Sequence, residues 1–288
     1  MKLAHFTRNG RAELGLVDEP TSTIHPVSMA GDMVDLIARF DEMKPALRPN
    51  GGGLSLSAVK LMAPIPAPRR NIFCVGKNYR EHAKEFAGSG YEAGAVKGAE
   101  IDEFPAIFTK PASCVVGPGE AVPLHRHVAT SIDYEAELAV VIGRGGRDIA
   151  LGDAYAHVFG YTIVNDATAR DRQRNHKQWF MGKALDGFCP MGPWITTADE
   201  VDPENLDVRC TVNGELRQNA NTRDLIFDIP TLIATISAGL TLEPGDVIST
   251  GTPAGVGLGF NPPRFLNAGD EVTITITGLG TLSNRFEG

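Results

Sequence analysis

Two glutamates one residue apart, Glu135 and Glu137, lie in the run Asp133-Tyr-Glu-Ala-Glu-Leu-Ala-Val-Val-Ile-Gly143. On a strand, side chains two apart share a face, so both carboxylates point the same way and Ala139 and Val141 continue their row. Tyr134, Ala136, Leu138 and Val140 point oppositely, and apolar residues on both faces predict a strand covered on both sides. Like charges roughly 5–7 Å apart in such a strand repel and lose hydration. They need a proton, an arginine or a cation, unless this is an exposed strand end. A third carboxylate, Asp166, follows the apolar run Tyr161-Thr-Ile-Val-Asn165. Three oxygen ligands at strand ends suit a hard cation such as Mg²⁺, with Mn²⁺ or Ca²⁺ as substitutes, and water and a substrate oxygen to complete the sphere.

Other residues could supply acid–base or binding chemistry. His82 and Glu85 are three apart in Arg80-Glu-His-Ala-Lys-Glu85, so on a helix they share a face. A carboxylate that orients an imidazole makes a proton-transfer pair, although the same spacing also occurs on solvated helix faces. Lys183 and Lys110 are single lysines after apolar segments, suited to binding an anion or to extending toward solvent. The stretch Gly251-Thr-Pro-Ala-Gly-Val-Gly-Leu-Gly-Phe260 offers backbone N–H groups and the Thr252 hydroxyl to a carboxylate. Pro262-Pro263 stands where a dinucleotide fingerprint requires a helix. His125 and His127 open a cupin-like metal pattern, but Ser131, Ile132 and Asp133 stand where its glutamate belongs.

The elements that must position these groups are short. The chain has 288 residues with 32 glycines and 19 prolines, which predicts many turns. Strands are expected at 71–75, 106–109, 134–142, 161–165, 208–212, 247–250, 272–277 and 281–286. Helices are expected at 32–43, 79–86, within 151–158 and at 229–238. Many strands and few helices predict a mainly β, α+β fold. The proline-rich run at 63–69 divides a small N-terminal α+β subdomain, 1–69, from a main domain, 70–288. The net charge of −8 argues against nucleic acid or an anionic membrane as partner. Four cysteines without a CxxC pair, and no apolar leader or spanning segment, point to a reduced cytoplasmic protein.

In order along the chain, VGKNYREHAKE (75–85), FTKP (108–111), DYEAELAVVIG (133–143), GYTIVNDATARDRQ (160–173), MGKALDGFCPMGPW (181–194), VNGELRQ (212–218) and LEPGDVISTGTPAGVG (242–257) resemble the fumarylacetoacetate hydrolase family, bacterial members included. The resemblance covers about residues 70–288. It implies a mixed β-sandwich roll, usually a homodimer, with Glu135, Glu137 and Asp166 as ligands of Mg²⁺ or Mn²⁺. It implies His82 and Glu85 as a catalytic dyad on a lid and Lys183 as the lysine beside the metal. Arg170, Gln173 and Thr252, with Lys110, are implied to hold a 2-oxo acid. The segment between Glu85 and Lys110, including 88–103, is longer than in the most compact relatives.

The chemistry expected of such a site starts from chelation of the cation by adjacent carboxylate and keto oxygens, which withdraws electrons from the substrate. Breaking the bond beside the keto carbon leaves an enolate, stabilised by the cation and Lys183. Hydrolytic C–C cleavage of a 2-oxo or 2,4-dioxo acid of acylpyruvate or fumarylpyruvate type is the leading reading, in aromatic or sugar-acid breakdown. Decarboxylation of an oxaloacetate-type acid, isomerisation of a 2-oxo or 2-hydroxydiene diacid, or ureidoglycolate lysis are alternatives on the same scaffold. A silent metal- and acid-binding protein is the reading of a different class.

Overall fold

The structure, a computed structural model, describes residues 1–27, 29, 31–49, 52–87, 89 and 102–288. Of the 88–103 segment expected to belong to a lid, residues 88 and 90–101 lie outside the described residues.

The strand expected to carry the glutamates forms at Ala136–Ile142 and pairs antiparallel with Val158–Asn165 on one side and Val247–Ser249 on the other. Its alternation divides two cores. Leu138, Val140 and Ile142 pack with Val208, Ile274 and Phe286 of a five-stranded sheet and with Leu232 and Ile236 of the helix Ile229–Ser237. Ala139 and Val141 pack instead with Met33, Val34, Leu36 and Ile37 of the N-terminal helix Met33–Ala38. Both faces of the strand are therefore covered, as the pattern required. The result is a mainly β, α+β sandwich in which a large mixed sheet lies between helix and second sheet.

The large sheet runs on from Val247–Ser249 to Ile72–Gly76, a parallel neighbour, and then to the edge strand Ala106–Lys110. In the other direction Val158–Asn165 pairs with Cys189–Thr197, which pairs with Lys2–Arg8. The first residues thus extend the central sheet, with Lys2 opposite Thr196 and Leu3 opposite Ile195. The strand Cys189–Thr197 was not expected. Its prolines and glycine lack alternation, yet all nine residues are buried, and pairing from both sides replaces the local signal. Arg170–His176 and Phe180–Lys183 were also unexpected as helices, because runs of four and seven residues are too short to show a period.

The capping of Ile229–Ser237 shows the opposite case. Asp228 accepts from the Thr231 N–H at 2.9 Å, Pro230 occupies the first turn, and buried Leu232, Ile233 and Ile236 form its inner face.

Gly160 lies where Val158–Asn165 meets Cys189–Thr197, and a β-carbon there would come within 2.2 Å of the Thr196 carbonyl oxygen. Since that obstacle is backbone, Gly160→Ala is expected to cost about 2–3 kcal/mol by forcing the two strands apart. Urea denaturation of the purified variant measures this, and a loss under about 0.5 kcal/mol would show that the pairing relaxes freely.

Candidate active site

Antiparallel pairing brings the carboxylates together. Ala136 stands opposite Asn165, so the residue before one strand meets the residue after the other, and the Asp166 N–H donates to the Glu135 carbonyl at 2.8 Å. Glu135, Glu137 and Asp166 are all buried, with one oxygen from each lying within 4.8 Å of the others. Ligands opposite one another on a cation with bonds near 2.1 Å are about 4.2 Å apart, so small side-chain adjustments suffice to enclose one. Glu137 Oε2 accepts from Ser249 Oγ at 2.6 Å and from the Gly251 N–H at 2.9 Å. Burial, and then the charges of Asp166 and Glu135, push the Glu137 carboxyl well above the usual range.

Three cations answer these carboxylates. Lys183 Nζ bridges Glu135 Oε2 and Asp166 Oδ2, each at 2.6 Å. Arg170 reaches Glu135 Oε1 at 2.7 Å with Nη2 and Asp133 Oδ2 at 2.9 Å with Nε. Burial works to raise the Glu135 carboxyl, but Lys183 and Arg170 outweigh it and hold it down to about 2. Lys110, 0% exposed, donates to Asp166 Oδ1 at 2.6 Å and to the Ala167 carbonyl at 3.1 Å. Burial disfavours its ammonium form, yet the neighbouring Asp166 charge keeps it protonated beyond the ordinary lysine range. Lys110, implied to hold the acid, is not brought to the pocket with the other residues. It stands behind Asp166 and is absent from the pocket wall, because its whole length is spent crossing the core from the edge strand to a ligand carboxylate.

The helix Arg80–Phe86 carries His82 and Glu85 as expected, with Nδ1 and Oε2 at 3.5 Å. Both Glu85 oxygens accept from the Gly255 N–H, at 2.9 and 3.1 Å. The Gly-rich loop therefore presents its N–H groups to the protein's own carboxylates: Gly251 to Glu137, Gly255 to Glu85, and Gly257 and Leu258 to Asp133. These donors are not free for a substrate carboxylate, which corrects the reading of that loop. Gly255 is needed for it, with φ +99° and a would-be β-carbon 1.9 Å from the Arg217 carbonyl oxygen. Thr252 Oγ1 donates to the Ala136 carbonyl at 3.0 Å and accepts from Gln218 Nε2 at 2.7 Å, so its proton is committed as well.

Around these groups lies a narrow pocket with ≈20 Å³ of free space, whose wall includes His82, Glu135, Glu137, Arg170, Gln173, Lys183 and Thr252. Phe86, Phe108 and Trp179 form its apolar side, with Trp179 6.1 Å from Phe86 and 5.5 Å from Phe108 between ring centres. Gln173 Oε1 accepts from Arg170 Nη1 at 3.2 Å. Residue reasoning passed over Asp133 and Gln218. Asp133 joins Arg170 to the loop, and Gln218 ties Thr252 and Pro253 to the Ala136 N–H. Their signal was a polar residue at the edge of a quoted block, which reads equally well as surface. His125 Nε2 lies 2.9 Å from the Asp186 carbonyl oxygen, and no metal group among the described residues includes it or His127.

With Asp133, Glu135, Glu137 and Asp166 ionised against Lys110, Arg170 and Lys183, the buried cluster carries one net negative charge. A proton on Glu137 cancels it, whereas a divalent cation in its place leaves one net positive charge for a bound carboxylate. The donor set thus fits a hard divalent ion together with an anionic ligand.

Residues 71–287 match the family described as fumarylacetoacetate (FAA) hydrolase C-terminal. The chain is 55% identical over 233 residues to oxaloacetate tautomerase YisK of Bacillus subtilis (strain 168), covering 81% of this chain and 74% of that protein. Among solved structures, a fumarylacetoacetate hydrolase from psychrophilic Exiguobacterium antarcticum superposes with TM-score 0.85 at 40% identity, covering 100% of this chain and 99% of that one. A maleylpyruvate hydrolase from Sphingobium sp. SYK-6, in complex with manganese(II) ion and pyruvate, superposes with TM-score 0.80 at 34% identity, covering 100% and 99%. The chain belongs to the fumarylacetoacetate hydrolase family.

Asp166→Ala is expected to abolish Mn²⁺ binding in titration calorimetry, and unchanged affinity would remove Asp166 from the ligand set. The raised Glu137 carboxyl sets the direction of a second effect. A carboxyl raised on folding contributes its stability below the unfolded value and loses it as pH climbs through the folded value, while a cation needs the ionised form. Mn²⁺ should therefore raise the Tm more at about pH 8 than at about pH 6, and Glu137→Gln should flatten that difference. An equal Tm increment at both pH values in the parent protein would contradict the assignment.

Proposed function

We propose that this member of the fumarylacetoacetate hydrolase family is a divalent-metal-dependent enzyme that enolises a short 2-oxo acid, with keto–enol interconversion of oxaloacetate as its reaction. The observation that carries this is one pocket joining the acidic triad and Lys183 to the His82–Glu85 pair. That pocket offers no free side-chain nucleophile among the described residues, since the Thr252 proton is committed to Ala136. The 55% identity to an oxaloacetate tautomerase supports the choice of substrate.

Glu135, Glu137 and Asp166 would hold the ion, which when bound supplies Lewis-acid polarisation of the 2-oxo oxygen. Glu85, fixed by Gly255, stands 3.5 Å from His82 Nδ1 and orients the ring, which leaves Nε2 as the nitrogen that exchanges a proton with substrate. In the keto-to-enol direction His82 takes a proton from C3. The C–H electron pair becomes the C2–C3 double bond, and the 2-oxo oxygen takes up the charge. Lys183 offsets that charge, and the proton held on His82 is returned to the oxygen. The reverse direction uses the same groups.

C–C hydrolysis, the leading reading of the sequence, is the second reading here. The maleylpyruvate hydrolase that binds manganese and pyruvate favours it, because the same pair would then activate water against a second carbonyl.

Loss of the enol absorbance of oxaloacetate, followed with Mn²⁺ present beside pyruvate release from acetylpyruvate and fumarylpyruvate, separates the two. Acceleration of the first supports tautomerisation. Pyruvate release without it would transfer the assignment to hydrolysis, and binding without either reaction would favour the silent reading. His82→Ala is expected to cut turnover about 10²-fold or more while Mn²⁺ affinity is retained.

A further inference from the structure

One cation in the pocket wall takes no part in the triad network. Arg170 and Lys183 are each held by two carboxylates of the buried cluster. Lys77, which lines the same pocket, pairs instead with Asp102, with Nζ and Oδ2 at 2.5 Å. Its side chain is 8% exposed and that of Asp102 19%, so the pair is largely withdrawn from water.

The backbone at this position is held at a cost. Lys77 has φ +55°, a left-handed conformation that a residue with a β-carbon adopts reluctantly. It follows directly on Ile72–Gly76, and the next residue, Asn78, is locked in place. Asn78 Nδ2 donates to the Thr250 carbonyl at 2.8 Å and to the Phe227 carbonyl at 3.0 Å, and its Oδ1 accepts from the Phe227 N–H at 2.7 Å. Strain kept between a sheet strand and an anchored asparagine marks a side chain whose position matters. Glycine or asparagine would relax that backbone but would remove the ammonium.

We infer that Lys77 binds the second, distal carboxylate of the substrate, which makes the pocket selective for 2-oxo dicarboxylates over 2-oxo monocarboxylates. Asp102 holds the position that this carboxylate takes, so binding exchanges one carboxylate on Lys77 for another. The charge count agrees. The cluster with a divalent ion carries one net positive charge for the chelating carboxylate, and Lys77 supplies a second for the distal one. The inference rests on the enolising reading for the placement of the first carboxylate.

The test uses inert acids, so that binding is read apart from turnover. Malate and 2-hydroxybutyrate share a 2-hydroxy carboxylate on four carbons and differ by a carboxylate against a methyl group. Their affinities for the Mn²⁺-loaded protein are measured by calorimetry. The parent protein is expected to prefer malate, and Lys77→Met to reduce that preference about 10- to 100-fold, the range for a lost charged hydrogen bond. Lys77→Arg should retain it. Asp102→Asn removes the competing carboxylate and should tighten malate without an equal gain for 2-hydroxybutyrate. That variant keeps the proposal testable if Lys77→Met fails to fold. An unchanged preference in Lys77→Met, a parallel loss of both acids, or unchanged or weaker malate binding in Asp102→Asn would overturn the role of Lys77. Absence of oxaloacetate turnover with the malate preference intact would overturn the enolising reading and leave the dicarboxylate subsite standing.

Discussion

Negative charge gathered away from water is the constraint on which this structure depends. Glu135, Glu137 and Asp166 share a site too small and too dry for three carboxylates to coexist unassisted. The surrounding core is arranged around that difficulty. Lys183 and Arg170 share the charge of Glu135, Lys110 supports Asp166 from behind, and Ser249 with the Gly251 N–H supports Glu137. The charge that remains is what makes the site receptive to a divalent ion and, once that is held, to an acid.

The same economy explains the Gly-rich loop. Four of its N–H groups end on Glu137, Glu85 and Asp133, so a single backbone segment registers the acidic triad, the His82–Glu85 pair and the Asp133–Arg170 pair together. Gln218 adds a further tie, from the second sheet to Thr252 and to the start of the central strand. A displacement of this loop would disturb several chemical groups at once. The His82–Glu85 pair is thereby tied to the carboxylate cluster even though His82 lies on a separate short helix.

Sheet topology contributes what no single segment holds. The parallel neighbours Ile72–Gly76 and Val247–Ser249 end on the same side, which delivers Lys77 and Asn78 next to Thr250 and Gly251. The antiparallel pair at the centre delivers Glu135 beside Asp166. Groups from widely separated parts of the chain meet because strand ends, where side chains and turns are freed from the ladder, are collected at one edge of the sandwich.

Much of the site was legible beforehand. The period-two spacing of Glu135 and Glu137 in an apolar run, and the helical spacing of His82 and Glu85, are local properties, because strand and helix geometry alone decide which side chains share a face. The resemblance to a known family named Arg170, Gln173 and Lys183, although the helices carrying them were too short to read. Long-range pairing decided the rest. The strand Cys189–Thr197 exists because neighbours hydrogen-bond it on both sides, and Lys110 leaves the substrate pocket because its strand lies at the sheet edge behind Asp166. Lys77, one lysine within the run 75–85, is distinguished only by the carboxylate that faces it. Periodicity follows from bonds between near neighbours, which a sequence records. Which charge meets which depends on contacts between distant segments, and those exist only once the sheets have assembled.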